Sequence, residues 1–306
     1  MQVIHNIPTT QPAPCVATIG FFDGVHQGHR FLIEQVKKVA AERGLCSALI
    51  TFPVHPRKVM NADYRPELLT TLDEKEVLLS GLGVDYCMML DFTPDISHLT
   101  AREFMTDILR NRYHVECLVI GYDHRFGHNR SEGFEDYCRY GEAIGMEVVR
   151  ARACTFNDIH ISSSAIRNYL HQGEVAKATS CLGYEYFLNG TVVSGYQVGR
   201  KIGFPTANLQ VTDPDKLVPA DGVYAVYATV EGQRYKGMLN IGHRPTLDNG
   251  AKSIEVNILH FNSDIYGKPL RLSFVQYLRP ELKFDTIDEL IVQMRKDEEM
   301  TESLLS

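Results

Sequence analysis

The 306 residues are 44% hydrophobic and 23% charged, globular proportions that fit one large domain or two ordinary ones. The net charge of −7, divided as −4 over residues 1–184 and −3 over residues 185–306, lacks the basic excess of a nucleic-acid binder, and no apolar run approaches the roughly 20 residues of a membrane helix. Seven cysteines without a CxxC pair read as free thiols of a reducing compartment, and the opening MQVIHNIPTTQPAP lacks the basic start and apolar stretch of a secretory signal, so a cytoplasmic protein is expected.

In chain order, Cys15–Ile19 is short, apolar and β-branched, as a strand should be. Arg30–Arg43 repeats apolar residues at Phe31, Leu32, Val36, Val39 and Ala40, a helical stripe that Gly44 is suited to end. Cys46–Phe52 and Tyr86–Leu90 read as further strands. Thr100-Ala-Arg-Glu103 has the form of a capping box, opening a helix to about Arg112. Cys117–Ile120 is another strand, residues 131–144 suit a helix, and Met146–Arg150 is a strand again. Strands separated by helices predict a parallel sheet with right-handed crossovers, an α/β, Rossmann-like domain. Near residue 185 the pattern changes. Tyr186–Val193, Gly222–Val230, Arg234–Ile241, Ser253–Phe261 and Leu270–Tyr277 read as strands, with Glu231-Gly232-Gln233 as a hairpin turn. Short strands without long helical stripes predict a small barrel or sandwich. A last helix is expected from Thr286, with Glu289 completing a capping box. The boundary is placed at Leu182-Gly183-Tyr184, giving domains 1–183 and 184–306.

The first domain carries two candidate phosphate sites. Gly20-Phe-Phe-Asp-Gly-Val-His-Gln-Gly-His29 follows the first predicted strand and leads into a helix. Its glycines permit tight turns and close ligand approach, and a helix start offers unpaired N–H groups and a positive dipole end. His26 and His29 can donate hydrogen bonds to phosphoryl oxygens as charge develops. The alternative is a turn with two exposed histidines; metal ligation by this pair lacks a third His or Cys at suitable spacing. Ile161-Ser-Ser-Ser-Ala-Ile-Arg167 opens another helix. One hydroxyl suffices for a cap, so Ser162, Ser163 and Ser164 with Arg167 suggest an anion site. Between them, Ile120-Gly-Tyr-Asp-His-Arg-Phe-Gly-His128 ends a strand, where His124, Arg125 and Asn129 either line a ligand site or decorate a loop.

The second domain holds a glycine-rich basic loop, with Gly195, Gly199 and Gly203 around Arg200 and Lys201. It lacks the GxxxxGK[ST] of a P-loop, so it reads either as a phosphate cover or as a plain hairpin loop. In Pro205-Thr-Ala-Asn208, Thr206 and Asn208 face one side of an extended segment and offer hard oxygens suited to Mg²⁺. In Ser-Ile-Glu255-Val-Asn, Ile254, Val256 and Ile258 share one strand face and leave Glu255 and Asn257 on the other. Glu255 is then either a surface residue or, projecting into a pocket, a base.

These segments resemble the prokaryotic bifunctional riboflavin kinase/FAD synthetase family over nearly the whole chain. GFFDGVHQGH, TFPVHP, IGYDHRFG and ISSSAIR resemble its HxGH adenylyltransferase module. Ser164 stands where that pattern has threonine, which keeps a hydroxyl, and TFPVHP lacks the acidic-Pro pair before HP. GRKIGFPTAN, PADGVYAV, GMLNIGHRPT, FNSDIYGKPL and LRPELKF resemble its riboflavin kinase module. The resemblance implies an HxGH nucleotidyltransferase domain followed by an all-β Greek-key barrel with a C-terminal helix. It implies phosphorylation of riboflavin to FMN, then adenylylation of FMN to FAD, with ATP and Mg²⁺. His26, His29 and Glu255 would be catalytic, with Glu255 as the base and Thr206 and Asn208 holding the metal. Nucleotides and flavin would be bound at Gly20, Phe21, Asp23, Gly28, Asp123, Arg125, Asn129, Ser162, Ser163, Ser164, Arg167, Gly195, Gly199, Arg200, Lys201, Thr206, Asn208 and Arg279. The partners expected are these small molecules, with no nucleic acid and no membrane. The alternatives are an HxGH nucleotidyltransferase acting on another phosphorylated substrate and a non-enzymatic flavin- or nucleic-acid-binding protein.

Overall fold

A computed structural model describes residues 1–6, 11–122, 124–128, 131–152, 161–195, 199, 202–243 and 252–305. The chain divides into two compact units, Met1–Ile161 and Ser162–Ser306.

The first unit alternates strands and helices as its patterning predicts. Its strands are β1 (Gln2–His5), β2 (Cys15–Ile19), β3 (Cys46–Thr51), β4 (Tyr86–Met89), β5 (Val115–Ile120) and β6 (Glu147–Arg150). Its helices are α1 (Gln27–Arg43), α2 (Pro56–Met60), α3 (Leu72–Ser80), α4 (Pro94–His98), α5 (Ala101–Glu103) and α6 (Phe134–Ile144). The sheet is parallel in the order β1-β4-β3-β2-β5-β6. Strand β2 is buried throughout, Thr18 included, because both sheet faces are covered. Cys15, Ala17 and Ile19 enter one core with Phe104, Met105 and Tyr113, while Val16 enters the other with Val36 and Ala40 of α1. Helix α1 starts three residues before the sequence stripe, because His26 caps it, and ends on Gly44 at φ 65° as expected. The Thr100–Glu103 capping box forms both of its bonds, but the helix beyond it runs as a π-helical segment, Phe104–Arg112. The short elements β1 and α2 carry too little periodicity to be read from sequence. Strand order reverses at β2, which has β3 on one side and β5 on the other, so the turns after β2 and β5 lie at the crevice where open α/β sheets bind ligands.

The second unit opens with α7 (Ser163–His171) and α8 (Val175–Leu182). Six strands follow: β7 (Phe187–Val193), β8 (Ala207–Val211), β9 (Gly222–Val230), β10 (Gln233–His243), β11 (Lys252–Ile258) and β12 (Pro269–Arg279). They close a barrel in the order β10-β11-β8-β7-β12-β9, and α9 (Ile287–Leu304) ends the chain. The β9–β10 hairpin turns on Glu231 and Gly232, both at positive φ, the conformation of a tight primed turn. Strand β8 was read only as an extended segment, since Asn208 and Gln210 interrupt its apolar pattern. Helices α7 and α8 fall with the barrel, where the Ala220 N–H donates to the Leu170 carbonyl at 3.0 Å and a Cβ at Gly173 would come within 2.9 Å of the Tyr277 ring. Thr286 caps α9 by accepting from the Glu289 N–H, but the Glu289 carboxylate reaches back to the Asp285 N–H, one residue further than a capping box requires.

Candidate active sites

In the first unit the site grows from the turn after β2. Phe22 and Val25 sit at φ 54° and 38°, and a β-branched residue at positive φ is strained. The strain is held by Asp23, only 3% exposed, whose carboxylate accepts from the Leu69 and Thr70 N–H groups at 3.0 Å each. Gly24 adds an N–H to Thr70 Oγ1 at 3.0 Å. The turn delivers His26 to the N-terminus of α1, where its Nδ1 accepts from the His29 N–H at 3.2 Å. That acceptor role leaves Nε2 to carry the His26 proton. The two imidazoles stack with centroids 3.5 Å apart, and a Cβ at Gly28 would come within 3.2 Å of the His26 ring. A side chain at Gly20 would likewise press the Phe22 ring, at 3.0 Å. Burial, then His26, His124 and Lys75, holds the His29 pKa well below its ordinary value, so this ring is neutral near pH 7. Its Nδ1 is enclosed and has no hydrogen-bond partner among the described residues. The turn after β5 comes near the same helix: a Cβ at Gly121 would meet His124 at 3.5 Å and Leu32 of α1 at 3.8 Å. Arg125 is exposed, and Asp123 and Asn129 lie outside the described residues.

Ser162 caps α7 by accepting from the Ala165 N–H at 3.2 Å. Ser163 and Arg167 are half-buried and Ser164 is exposed on this helix of the second unit.

In the barrel, neighbouring strands bring the predicted residues together. Asn240, Glu255 and Asn208 form one row across β10, β11 and β8. Gly199, Thr206, Glu255 and Arg279 line a cavity of about 400 Å³, whose other walls include Met238, Leu282, Phe284 and Met294. Thr206 also lines a second cavity of about 220 Å³ with Pro205, Val256, Ile258 and Tyr266. Asn257 Nδ2 donates to the Pro205 carbonyl at 2.7 Å and fixes the start of the Thr206–Asn208 segment. A Cβ at Gly195 would overlap the Asn208 amide, and one at Gly199 would overlap the Phe204 carbonyl. Arg200 and Lys201 lie outside the described residues. Arg279 is held by Asp297 of α9, which is 4% exposed, with Nη2 to Oδ2 at 2.8 Å. This ties the helix to the cavity rim. Among the described residues no three His, Cys, Asp or Glu side chains gather to hold a metal unaided. The neutral oxygens of Thr206 and Asn208 therefore fit a cation such as Mg²⁺ that takes its other ligands from water and nucleotide phosphates.

Lys75, Asn240 and Asp297 do not stand out in the sequence. For Lys75 the available signal is a charge on the helical stripe Leu72–Lys75–Leu79; the other two act through partners distant in sequence.

Two family models match the chain: FAD synthetase over residues 9–165 and riboflavin kinase over residues 182–305. A bifunctional riboflavin kinase/FMN adenylyltransferase of Listeria monocytogenes is 40% identical, covering 95% of this chain and 92% of that one. The protein of the same description from Escherichia coli K12 is 35% identical, covering 96% and 94%. A crystal structure from Streptococcus pneumoniae, described as a macrolide-efflux protein, has a TM-score of 0.89 at 32% identity over 98% of both chains. No helix among the described residues is long and apolar enough to cross a membrane.

Proposed function

The chain belongs to the bifunctional riboflavin kinase/FMN adenylyltransferase family, and on that premise we propose that it makes FAD from riboflavin in two ATP-dependent steps, one in each module. In the barrel, the riboflavin 5′-hydroxyl attacks the γ-phosphate of ATP, its proton passes to Glu255, and ADP leaves. The observation that carries this half is Glu255 and Thr206 on the wall of one cavity, with Asn208 opposite Glu255 across the strands. Thr206 stands on both cavities, which supports nucleotide on one side and flavin on the other, with Glu255 on the wall of the larger one. Mg²⁺ on Thr206 and Asn208 would neutralise phosphate charge, and Gly195 leaves the room in which the Asn208 amide is seated. Arg279 orders the rim through Asp297.

In the parallel-sheet module, an oxygen of the FMN phosphate attacks the α-phosphate of a second ATP and pyrophosphate leaves. The nucleophile is already ionised near neutral pH, so no base is required. His26, His29 and the start of α1 are assigned to stabilise the developing charge. Neutral His29 does so as a hydrogen-bond donor. We place the division of the two activities at residues 183–184, and the enzyme in the cytoplasm, where its buried thiols Cys15, Cys87, Cys117 and Cys181 stay reduced.

Incubation with riboflavin and Mg-ATP, followed by chromatography of the flavins, should show FMN and then FAD. EDTA should stop phosphorylation. Absence of FMN and of FAD from a folded protein would refute the assignment.

A further inference from the structure

Helix α3 carries a lysine on its core-facing stripe. Leu72, Lys75 and Leu79 share one face, and Lys75 is 2% exposed. Its ammonium donates to the Phe52 carbonyl at 2.8 Å, the Phe21 carbonyl at 3.3 Å and Thr51 Oγ1 at 3.4 Å, and lies 4.3 Å from the centre of the Phe21 ring. Phe21 opens the strained turn that delivers His26, Thr51 ends the neighbouring strand β3, and Phe52 follows it. One amine thus fastens the turn after β2 to the C-terminal end of β3. All three hydrogen-bond acceptors are neutral. A buried ammonium that contacts no carboxylate among the described residues is unfavourable, and a methionine would fill the same space without that penalty. Fastening alone does not explain the charge.

On the reading that this crevice holds the phosphates of ATP and FMN, we propose that Lys75 is a positioning residue of the adenylylation site: it locks the HxGH turn to β3 and supplies a buried positive charge that becomes balanced when the phosphates bind.

The charge environment agrees with this role. Burial draws the Lys75 pKa down to about 8, while Asp23 on the turn, Cys87 on β4 and Glu76 on α3 oppose that drop. His29, on α1, is kept neutral by its burial first, then by His26 and His124, with Lys75 adding to them. The ammonium is therefore charged near pH 7 and loses its proton as pH rises through about 8. Bound phosphate anions would favour the charged form and raise that value.

The test compares Lys75→Met and Lys75→Arg with the unaltered protein, using FMN and Mg-ATP from pH 6 to 10. Riboflavin phosphorylation and thermal unfolding are followed on the same preparations. Lys75→Met should lose about 100-fold in kcat/KM for FAD formation, the scale of one electrostatic contact, and still phosphorylate riboflavin. Lys75→Arg should stay within about tenfold, because a guanidinium keeps the charge, and its kcat/KM should not fall through pH 8 as that of the unaltered protein does. A merely structural lysine would not move this limb. A folded Lys75→Met with unaltered kcat/KM, or a Lys75→Arg whose alkaline fall coincides with that of the unaltered protein, overturns the proposal. If Lys75→Met does not fold, the Lys75→Arg profile decides. Failure of the unaltered protein to make FAD would instead overturn the assignment of the site.

Discussion

The two candidate sites are made of different materials. In the parallel-sheet unit the groups at hand are main-chain N–H groups at the start of α1, two stacked imidazoles and a strained turn, and the nearby carboxylate of Asp23 is committed to the Leu69 and Thr70 amides. In the barrel the site is made of side chains on strand faces, and its carboxylate, Glu255, lines the cavity beside Thr206. The difference follows the chemistry assigned to each. A phosphate monoester attacks as an anion and needs only charge stabilisation, whereas a hydroxyl must surrender a proton as it attacks. A base is found where a proton has to go, and preorganised donors where only charge has to be held.

That contrast can be broken from either side. Glu255→Gln should lower riboflavin phosphorylation roughly 10²–10⁴-fold, the usual effect of losing a general base, while FMN supplied directly still becomes FAD. Equal loss of both activities would show that the sites are not independent. His29→Ala should do the reverse, lowering FAD formation about 10²–10³-fold and sparing phosphorylation, as measured with FMN and riboflavin in separate assays. Gly195→Ala should be milder. The new methyl displaces the Asn208 amide and should raise the Mg-ATP requirement of the kinase step roughly 10–100-fold, with FAD formation from FMN unchanged.

The smallest effect is on stability. The unfolded chain takes up a proton at His29 near its ordinary value, about 6.5, and the folded chain resists it because burial comes first among the causes that lower the pKa. Stability from this residue is therefore complete above that pH and falls as pH drops below it. Urea unfolding of the full chain at pH 7.5 and 5.0 should show a loss at the lower pH that is smaller in His29→Ala. An equal loss in both would contradict the lowered pKa.

Much of this was legible in the sequence because the signals are local. The apolar run of β2, the turn and glycines leading to His26 and His29, and the Glu231-Gly232 hairpin each sit within a dozen residues, and the alternation around Glu255 marks its face. What escaped depends on distant partners. Asp297 meets Arg279 across the segment before α9, and Asn257 reaches the Pro205 carbonyl 52 residues away. The α3 capping box, Thr71 with Glu74, and the place of Lys75 on an apolar stripe are local signals, yet they do not by themselves separate a buried lysine from a snorkelling one. The distinction arises only when the ends of β2 and β3 close around it.

The central claim is that riboflavin phosphorylation needs nothing from the first unit. The direct test is a chain of residues 162–306, which keeps α7 and α8 on the barrel together with the contact of Gly173 and Tyr277. A chain of residues 184–306 lacks those contacts and should unfold at lower temperature. Once circular dichroism has established the fold of the longer fragment, it is supplied with riboflavin and Mg-ATP and its products are separated by chromatography. The account predicts FMN and no FAD. A folded fragment that binds riboflavin and Mg-ATP yet forms no FMN would contradict it and show that the barrel borrows catalytic groups from the first unit.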